Sequence, residues 1–434
     1  MKNILLFGAG KSATCLIDYL CQVCLDNNWH LRVSDADLQL AASKIKGCPA
    51  ATAISVDVSN GEPRSNLIQQ ADIVISMLPP HLHLLVAVDC LAHSKNLLTA
   101  SYIDPEIKKL GDQIAQKGLL FLYEMGLDPG IDHMSAMQVF DSIRQQGGKV
   151  TSFRSHCGGL VAPESDDNPW HYKITWNPGN IVMAGASGAI YKWNNSVLTI
   201  PYSEVFAGGE IVDIPGLFPL AWYPNRDSLS YCDIYGLQEA ATFIRTTLRH
   251  PSFCRGWNTV VNLGLTDLAD FDDIRNCQSY RHWFELKRQV APKEIAAGSR
   301  RDEFEEQAAF LGLFSDDHLE IAERNSAKVL QGVLENKLGM HPGDKDMIVM
   351  LHEIGFEAAG KKREIKSCLI VKGDDQQQTA MAKTVGYPLG IAAKLILQDS
   401  IRLKGLHIPV AEEIYKPVLT ELATRQIVFE ERKS

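Results

Sequence analysis

The chain has 434 residues, roughly two to three times the size of a typical domain, so we expect more than one domain. Its composition, 45% apolar and 22% charged, is that of a globular protein, and no apolar run reaches the roughly 18 residues that span a membrane. The net charge of −9 argues against a nucleic-acid partner and means that an anionic substrate needs a local group of arginines. We therefore expect a cytoplasmic protein that binds neither membrane nor nucleic acid.

The ten cysteines are scattered along the chain. Cys21 and Cys24 are close in sequence, but no second pair follows that would complete a metal site. The sequence therefore predicts reduced, buried thiols and no metal.

A dinucleotide-binding motif opens the chain. A strand predicted at 2–7 is followed by Gly8-Ala9-Gly10-Lys11-Ser12-Ala13 and by a helical pattern at 14–26. In this G-x-G-x-x-A motif the first glycine permits a tight turn, the second lets the backbone approach a pyrophosphate, and the alanine allows close helix packing. The motif predicts a bound dinucleotide.

Strands and helices then alternate. Four more predicted strands each carry or precede residues that can contact a ligand: 30–33 before Ser34, Asp35 and Ala36; 52–58 with Asp57 and Val58; 72–77 before Leu78 and Pro79; 96–99 before Ser101 and Tyr102. This order predicts an α/β fold with a doubly wound parallel Rossmann sheet, in which ligands bind beyond the carboxyl ends of the strands. The alternative is a sheet of the same kind that binds no dinucleotide.

Asp35 bears on the choice of cofactor because an acidic residue at this place suits the ribose hydroxyls of NAD. A 2′-phosphate roughly 4 Å from the carboxylate would be repelled by up to about 4 kcal/mol at an effective dielectric constant near 20. Lys11 and Lys44 could offset part of this repulsion. We therefore expect NAD or NADP, with NAD favoured.

A break after the next apolar run divides the chain. The run at 119–123 predicts a buried strand, and it is followed by Gly126, Asp128, Pro129 and Gly130. Because ligands meet at the carboxyl ends of parallel strands, we expect the cofactor and a second reactant to meet at this turn.

The sequence of the second half predicts an α+β domain that contains a long helical segment. Strands at 149–157, 189–193, 196–200, 210–214, 347–356 and 364–371 alternate with helices at 131–145, within 252–340, at 380–403 and at 411–426. Lys361-Lys362-Arg363 is interpreted as a solvated hairpin tip. We predict a Rossmann domain at 1–130, an α+β domain at 131–250 and 340–400, and a helical segment at 251–339.

One predicted strand, 242–249, places two cations on one face. Arg245 and Arg249 flank Thr247 there, about 13 Å apart at roughly 3.3 Å per residue. Two guanidinium groups beside a hydroxyl suit a substrate with several carboxylates. The alternative is a solvated face with surface charges.

Four motifs carry a family resemblance. GLDPGIDHM (126–134), HCGGLVAPESDDNPWHYKITW (156–176), YPNRDS (223–228) and FIRTTLRH (243–250) resemble the saccharopine reductase family, the glutamate-forming saccharopine dehydrogenases. The similarity continues to HIPVAEEIYKPVL near the C-terminus. It implies a substrate domain that also forms a homodimer, a helical insertion at 251–339, and a final segment, about 400–434, that returns to the Rossmann domain. It also implies reversible oxidation of saccharopine to glutamate and 2-aminoadipate 6-semialdehyde.

The resemblance also implies site residues. Cofactor contacts fall on Gly8, Gly10, Lys11, Ser12, Ala13, Ser34, Asp35, Ala36, Asp57, Val58, Leu78, Pro79, Ser101, Tyr102, Leu127, Asp128 and Pro129. Substrate contacts fall on Tyr102, Asp128, Cys157, Arg226, Thr247, Leu248 and Arg249. Members that prefer NADP often carry arginine or a small polar residue in place of Asp35, so this position departs from the family.

The reaction needs a group that accepts a proton from the substrate amine. The predicted catalytic residues are Asp128, Tyr102 and Cys157, with His133 and His81 behind them and water as a further alternative. Each also has a structural interpretation: Asp128 could cap a helix, Tyr102 could line the nicotinamide pocket, and Cys157 could be a small residue that fits.

Two other functions compete with saccharopine oxidation. Carboxyspermidine- or homospermidine-forming relatives would keep the fold and the hydride step, but their substrates carry fewer carboxylates and do not call for the predicted arginines. A protein that binds NAD(H) without turnover is the alternative from another class.

Overall fold

The computed structural model describes residues 1–270, 274–290, 301–319 and 325–434. The chain divides into two compact units. Unit 1 comprises Met1–Gly147 and Gly373–Phe429, and unit 2 comprises Gly148–Lys372 and Glu430–Ser434. Parts of the predicted helical insertion, at 271–273, 291–300 and 320–324, lie outside the described residues.

The strands are β1 (Asn3–Phe7), β2 (His30–Asp35), β3 (Ala51–Ser55), β4 (Ile73–Ser76), β5 (Asn96–Thr99), β6 (Leu120–Leu122), β7 (Lys149–Val161), β8 (Ala189–Trp193), β9 (Ser196–Ile200), β10 (Glu210–Val212), β11 (Leu220–Pro224), β12 (Arg226–Asp227), β13 (Thr242–Arg249), β14 (Asp346–Ala358), β15 (Lys361–Lys372), β16 (Gly405–His407) and β17 (Glu430–Lys433). The helices are α1 (Thr14–Asn27), α2 (Leu38–Ile45), α3 (Gly61–Gln69), α4 (His83–Ala92), α5 (Pro105–Lys109), α6 (Gly111–Gln116), α7 (Ile131–Gln145), α8 (Pro178–Val182), α9 (Cys232–Tyr235), α10 (Pro251–Asn262), α11 (Tyr280–Val290), α12 (Arg301–Phe310), α13 (Ser326–Lys337), α14 (Ala380–Leu397) and α15 (Glu412–Thr424).

Unit 1 is built on a parallel sheet with the order β16-β6-β5-β4-β1-β2-β3. The chain starts in the middle, runs outward through β2 and β3, and returns to add β4, β5 and β6 on the other side of β1. Such a reversal of strand order creates the crevice in which doubly wound sheets bind their ligands. The predicted Rossmann sheet is confirmed, and β16 extends it by a strand that the sequence did not predict.

Two helices predicted for the second domain belong to unit 1. α7 packs against α15, and α14 packs against α1. The contact between α14 and α1 depends on glycines: a Cβ on Gly386 would lie 2.8 Å from the Leu16 nitrogen, and one on Gly390 would lie 2.4 Å from the Tyr19 ring. The apolar sequence of α14 predicts a buried helix but not its packing partner, which is why 380–400 was placed with the wrong unit.

Unit 2 contains a mixed sheet with the order β10-β11-β13-β7-β14-β15-β17, and β8, β9 and β12 branch from it. β13 pairs in parallel with β7 and antiparallel with β11, so it is a central strand. All of its residues except Thr247 are buried. The interpretation of 242–249 as a solvated face is therefore wrong. β17 adds 430–433 to unit 2, although these residues were predicted to return to the Rossmann domain.

Two hairpins show how local sequence sets the turns. Asn194 and Asn195, with φ of 47° and 67°, join the strands predicted at 189–193 and 196–200, since asparagine tolerates the left-handed region. Between β14 and β15 the turn lies at Ala359 and Gly360, and Lys361–Arg363 are exposed strand residues next to it rather than the tip.

No helix in the described parts of the chain has the length and apolar character needed to cross a bilayer. The ten cysteines, all of which lie in described segments, form no disulfide.

The turn after β6 depends on two glycines. A Cβ on Gly126 would lie 2.9 Å from the Ala100 Cβ, and one on Gly130 would lie 2.1 Å from the Gly126 carbonyl oxygen. Gly130 also has a φ of 147°, which side chains rarely permit. The GLDPG sequence therefore forms a closed turn that no bulkier residue at these two positions allows.

We expect Gly130→Ala to lower the free energy of unfolding by about 3 kcal/mol, because the Cβ meets a backbone atom that cannot move away. Gly147→Ala is the matched control: Gly147 also has a positive φ, of 73°, but its Cβ would meet no atom within 4 Å. That variant should lose only about 1 kcal/mol. Urea unfolding measures both, and equal losses would show that close packing does not constrain Gly130.

Candidate active site

The glycine loop of unit 1 has the shape that a dinucleotide needs. Gly8, with φ of 97°, donates its N–H to the Ser34 carbonyl at 2.8 Å and turns the chain toward α1. A Cβ on Gly8 would lie 2.7 Å from the Met77 carbonyl oxygen, whereas a Cβ on Gly10 would meet nothing within 4 Å. The space above Gly10 is therefore open to a pyrophosphate, and Lys11 and Ser12 begin the short turn that leads into α1.

The carboxylate of Asp35 is tied to backbone on two sides. Oδ2 accepts the Ala9 N–H at 2.8 Å, and Oδ1 accepts the Asp37 N–H at 3.0 Å. Asp35 therefore fastens the glycine loop to the turn between β2 and α2. A carboxylate oxygen has a second lone pair, so this arrangement leaves room for a ribose hydroxyl.

Asp57, a predicted cofactor residue, lies exposed beyond β3. Its Oδ1 accepts the N–H and the hydroxyl of Ser59 at 2.8 and 2.7 Å. These hydrogen bonds lower the pKa of the Asp57 carboxyl.

A buried histidine connects the ends of β4 and β5. The Nδ1 of His83 lies 2.8 Å from the Ser76 hydroxyl, and its Nε2 lies 2.6 Å from the Ser101 hydroxyl. The side chain is only 2% exposed, and burial lowers its pKa to about 4. Ser101, a predicted cofactor residue, is thus held by a residue that the sequence analysis did not select.

A second buried histidine lies under the turn after β6. The Nε2 of His133 is 2.9 Å from Glu124 Oε2, and its Nδ1 is 3.7 Å from Asp132 Oδ2. The other oxygens of these carboxylates accept backbone N–H groups: Glu124 Oε1 that of Ile103 at 3.4 Å, and Asp132 Oδ1 that of Gly130 at 2.6 Å. This cluster joins the segment after Ser101 to the start of α7, with His133 in a structural position.

The predicted catalytic residues of unit 1 lie beside these buried groups. Tyr102 and Asp128 are both half-buried and belong to the two segments that the Glu124 cluster connects. Leu127 and Pro129 are buried, whereas Leu78 is half-buried and Pro79 exposed, beyond the end of β4. The structure thus brings the predicted nicotinamide-side residues to the carboxyl edge of one sheet, and their roles stay predictions.

In unit 2, Arg249 is buried without a carboxylate partner among the described residues. It is 5% exposed, and its NH1 donates to the carbonyl of Leu248 at 2.8 Å and weakly to that of Gly159 at 3.4 Å. Its Nε has no hydrogen-bond partner in the described parts of the chain. The guanidinium carbon lies 5.1 Å from the Tyr172 ring and 5.6 Å from the Phe253 ring. The Arg249 guanidinium is therefore a buried cation with an unused N–H donor, to which an anion could bind.

Hydroxyl and thiol groups share the sheet face of Arg249. Thr247 is two residues away on β13, and the register pairs it with Cys157 on β7 and with Tyr223 on β11. Burial raises the pKa of the Tyr223 hydroxyl. The side chain of Leu248 points to the other face, into an apolar cluster with Ile244 and Trp222, so only its backbone is available to a substrate.

The other predicted arginines occupy different environments. Arg226 is exposed and has a left-handed φ of 49°. Arg245 is 4% exposed, and its guanidinium carbon lies 4.5 Å from the Tyr231 ring. Arg245 and Arg249 are thus buried and Arg226 is exposed, and the substrate-binding roles of Arg226 and Arg249 stay predictions.

One acidic cluster of unit 2 could be mistaken for a metal site. Asp167, His341 and Asp344 lie within ligand distance of one another. The ammonium group of Lys173 lies 2.8 Å from Asp167 and 2.7 Å from Asp344, so one positive charge already offsets part of the negative charge of the two carboxylates. With Lys173 these residues form a salt-bridge cluster.

Comparison with known proteins gives the family. Residues 4–122 match the model of the saccharopine dehydrogenase NADP binding domain, and residues 126–427 match that of the saccharopine dehydrogenase C-terminal domain. The chain is 32% identical to saccharopine dehydrogenase [NADP(+), L-glutamate-forming] of Saccharomyces cerevisiae, over 100% of this chain and 99% of that one. It is also 34% identical to the mitochondrial alpha-aminoadipic semialdehyde synthase of Mus musculus, of which it spans only 47%.

Comparison with solved structures indicates the same family. Apo saccharopine dehydrogenase (L-Glu forming) from Saccharomyces cerevisiae superimposes with a TM-score of 0.90 at 30% identity, and all of both chains is covered. Homospermidine synthase from Legionella pneumophila, solved in complex with NAD, gives a TM-score of 0.58 at 10% identity over 100% of this chain and 91% of that one, which shows a shared fold alone. The chain belongs to the saccharopine dehydrogenase family.

Proposed function

We propose that this protein is a glutamate-forming saccharopine dehydrogenase of lysine metabolism. It oxidises saccharopine to glutamate and 2-aminoadipate 6-semialdehyde with a nicotinamide dinucleotide, or runs the reverse reductive condensation. The observation that carries the proposal is Arg249, a buried guanidinium with no carboxylate partner among the described residues. Saccharopine has three carboxylates, and one of them would complete this site.

The electrostatics of Arg249 favour a carboxylate ligand over solvent. Burying a cation costs several kcal/mol unless an anion or good hydrogen bonds compensate, and two backbone carbonyls and two aromatic rings supply only part of this. A planar carboxylate can accept two parallel N–H groups from a guanidinium. Arg249 would thus fix the substrate in place, and Thr247 and Tyr223 on the same face add hydroxyl groups.

The chemistry requires proton transfer as well as hydride transfer. A bound nicotinamide supplies the hydride acceptor. The secondary amine of saccharopine must lose its proton before the neighbouring carbon can give up a hydride, and the resulting imine is hydrolysed by water to the two products. Tyr102, Asp128 and Cys157 stay the predicted proton acceptors, with water as the alternative.

The glycine loop and Asp35 fit a dinucleotide, and we propose NADP as the cofactor of this protein. The yeast relative is named for NADP(+), and the family model of residues 4–122 is an NADP binding domain. The expected preference for NAD, drawn from Asp35, finds no support in these comparisons. We also propose that the protein is a cytoplasmic homodimer, as the sequence predicts.

Homospermidine-type chemistry is the second candidate, because the fold is shared with a homospermidine synthase. Polyamine substrates carry positive charge and no carboxylate that would need a buried arginine. The environment of Arg249 therefore favours saccharopine over an amine substrate.

A steady-state assay tests the proposal. We expect the purified protein to reduce NADP⁺ when saccharopine is the substrate, but not when carboxynorspermidine or homospermidine is. The absorbance of the reduced nicotinamide measures this reaction. In parallel assays, NAD⁺ should be reduced more slowly than NADP⁺. Turnover of a polyamine substrate alone would contradict the proposal, and dinucleotide binding without turnover of any substrate would favour a non-catalytic protein.

We expect Arg249→Met to separate activity from stability. Loss of a buried charge-assisted hydrogen bond, worth about 2 to 3 kcal/mol, should lower kcat/KM for saccharopine by roughly 30- to 150-fold. The dissociation constant of the dinucleotide should not change. The free energy of unfolding should stay the same or rise by about 1 kcal/mol, because an uncompensated buried charge is removed.

Arg64→Met is the matched control, since Arg64 is also buried but lies 2.8 Å from the Asp89 carboxylate. This variant leaves Asp89 without its cation, so it should lose about 3 kcal/mol of stability and keep the KM for saccharopine. Urea unfolding and steady-state kinetics measure both variants. A strong loss of stability in Arg249→Met with unchanged kinetics would show that Arg249 serves only the fold.

We expect Asp35→Asn to shift cofactor preference toward NADP. Removal of a negative charge near the adenosine ribose should lower the dissociation constant of NADP, relative to that of NAD, by tenfold or more. The upper limit is the repulsion of about 4 kcal/mol between a carboxylate and the 2′-phosphate. Asparagine still accepts one backbone N–H, so the glycine loop keeps its tie. Asp37→Asn is the control, because the Asp37 carboxylate accepts N–H groups of Gln39 and Leu40 at the start of α2. Fluorescence titration measures both ratios, and equal shifts would rule out a specific role of Asp35.

A further inference from the structure

His83 occupies a place where a neutral, fully bonded ring can set the direction of a ligand-binding hydroxyl. It starts α4, and its ring lies between Ser76, the last residue of β4, and Ser101, two residues beyond β5. Both ring nitrogens are within hydrogen-bond distance of serine hydroxyls, at 2.8 and 2.6 Å. Nothing in the family resemblance or the comparisons assigns a role to this residue.

The position of Ser101 in the sheet determines which part of a dinucleotide it would meet. In a doubly wound sheet of this order, each half binds one mononucleotide. The glycine loop after β1 and Asp35 at the end of β2 belong to the half that takes the adenosine. Ser101 follows β5 in the other half, so we expect it to lie on the side of the nicotinamide mononucleotide.

The ring can act in this way because it is neutral. Burial lowers the pKa of His83 to about 4, and the other titratable groups that act on it are Asp104, which raises the pKa, and His81, which lowers it. A neutral imidazole has one donor and one acceptor nitrogen. If Nδ1 accepts from Ser76, Nε2 donates to Ser101, and if Nδ1 donates, Nε2 accepts; in either tautomer the hydrogen bond restricts the directions that the Ser101 hydroxyl can take.

We propose that His83 is a positioning residue that orients the Ser101 hydroxyl for the nicotinamide half of the cofactor. The proposal rests on the dinucleotide binding proposed above but not on the identity of the substrate. Without the ring, the Ser101 hydroxyl would rotate freely, and its hydrogen bond to the cofactor would have to be formed at an entropic cost.

Two conservative variants separate positioning from simple packing. The amide of asparagine ends one bond beyond Cγ, as Nδ1 does, and so reaches Ser76. The amide of glutamine ends two bonds beyond Cγ, as Nε2 does, and so reaches Ser101. Both variants lose the imidazole ring and a similar amount of packing, but only His83→Gln keeps a partner for the Ser101 hydroxyl.

The experiment compares binding of NADP⁺ with binding of its adenosine half, 2′,5′-ADP, by isothermal titration calorimetry. If the wild-type protein binds NAD⁺ more tightly, NAD⁺ and AMP replace them. No amino-acid substrate is used, so the result does not depend on whether saccharopine is turned over. We expect His83→Asn to raise the dissociation constant of the dinucleotide about tenfold, the equivalent of one hydrogen bond, and His83→Gln to raise it less than threefold. Binding of the adenosine half should change less than twofold in both.

His93→Asn is the control, because the Nε2 of His93 lies 2.7 Å from the Ser65 hydroxyl at the other end of α4. It should leave both dissociation constants unchanged. If His83→Asn does not fold, Ser101→Ala keeps the ring and should show the same selective tenfold weakening of the dinucleotide. Equal weakening in the two His83 variants, equal weakening of both ligands, or no weakening would each overturn the proposal.

Discussion

The central physical feature of this protein is a positive charge that is held inside its second β-sheet unit and that has no carboxylate partner among the described residues. Arg249 ends a central strand, is 5% exposed, and meets two aromatic rings and two backbone carbonyls. A fold tolerates such a charge only if the rest of its packing supplies the missing free energy, or if a ligand carries the anion. The apolar residues on the opposite face of β13 supply packing that holds the strand, and the guanidinium is thereby kept in one place. The buried charge of Arg249 thus lowers the stability of unit 2, whereas the proposed activity requires it.

Other buried charges in the described residues show the usual solution, which makes the environment of Arg249 informative. Lys173 bridges Asp167 and Asp344, and Lys287 bridges Asp267 and Asp270. Glu353 lies between His156 and Lys366; burial acts to raise its pKa, but these hydrogen bonds bring it to about 2. In each case at least one group of opposite charge comes from another segment of the chain. Against these examples, the lack of a carboxylate beside Arg249 among the described residues supports the proposal that a substrate carboxylate binds there.

Local sequence patterns predict most of the helices and strands, but they do not predict which of these elements pack against one another. The glycine loop, the hairpin at Asn194 and Asn195, the helix Ile131–Gln145 and the strand Thr242–Arg249 were predicted correctly because each follows from its own sequence. The assignment of α14 to the second domain failed because apolar periodicity shows that a helix is buried, not where. The same limit applies to the site. Arg226 and Arg249 look equivalent in sequence, yet one is exposed and the other is not, since burial depends on neighbouring strands. His83 and Glu124 were missed because their hydrogen-bond partners Ser101 and His133 come from other elements.

The buried polar groups of unit 1 are concentrated at the carboxyl edge of its sheet. This distribution indicates a ligand-binding edge independently of the glycine motif. The first strand is apolar and fully buried over Ile4, Leu5, Leu6 and Phe7, as a structural core requires. Beyond the carboxyl ends of β4, β5 and β6, by contrast, His83, Glu124, Asp132 and His133 are buried together with serine hydroxyls. Each such group costs free energy unless its hydrogen bonds are complete, so apolar residues would give a more stable sheet. The fold retains polar groups at the edge where a ligand must be bound in a fixed orientation, because hydrogen bonds fix direction and apolar contacts do not.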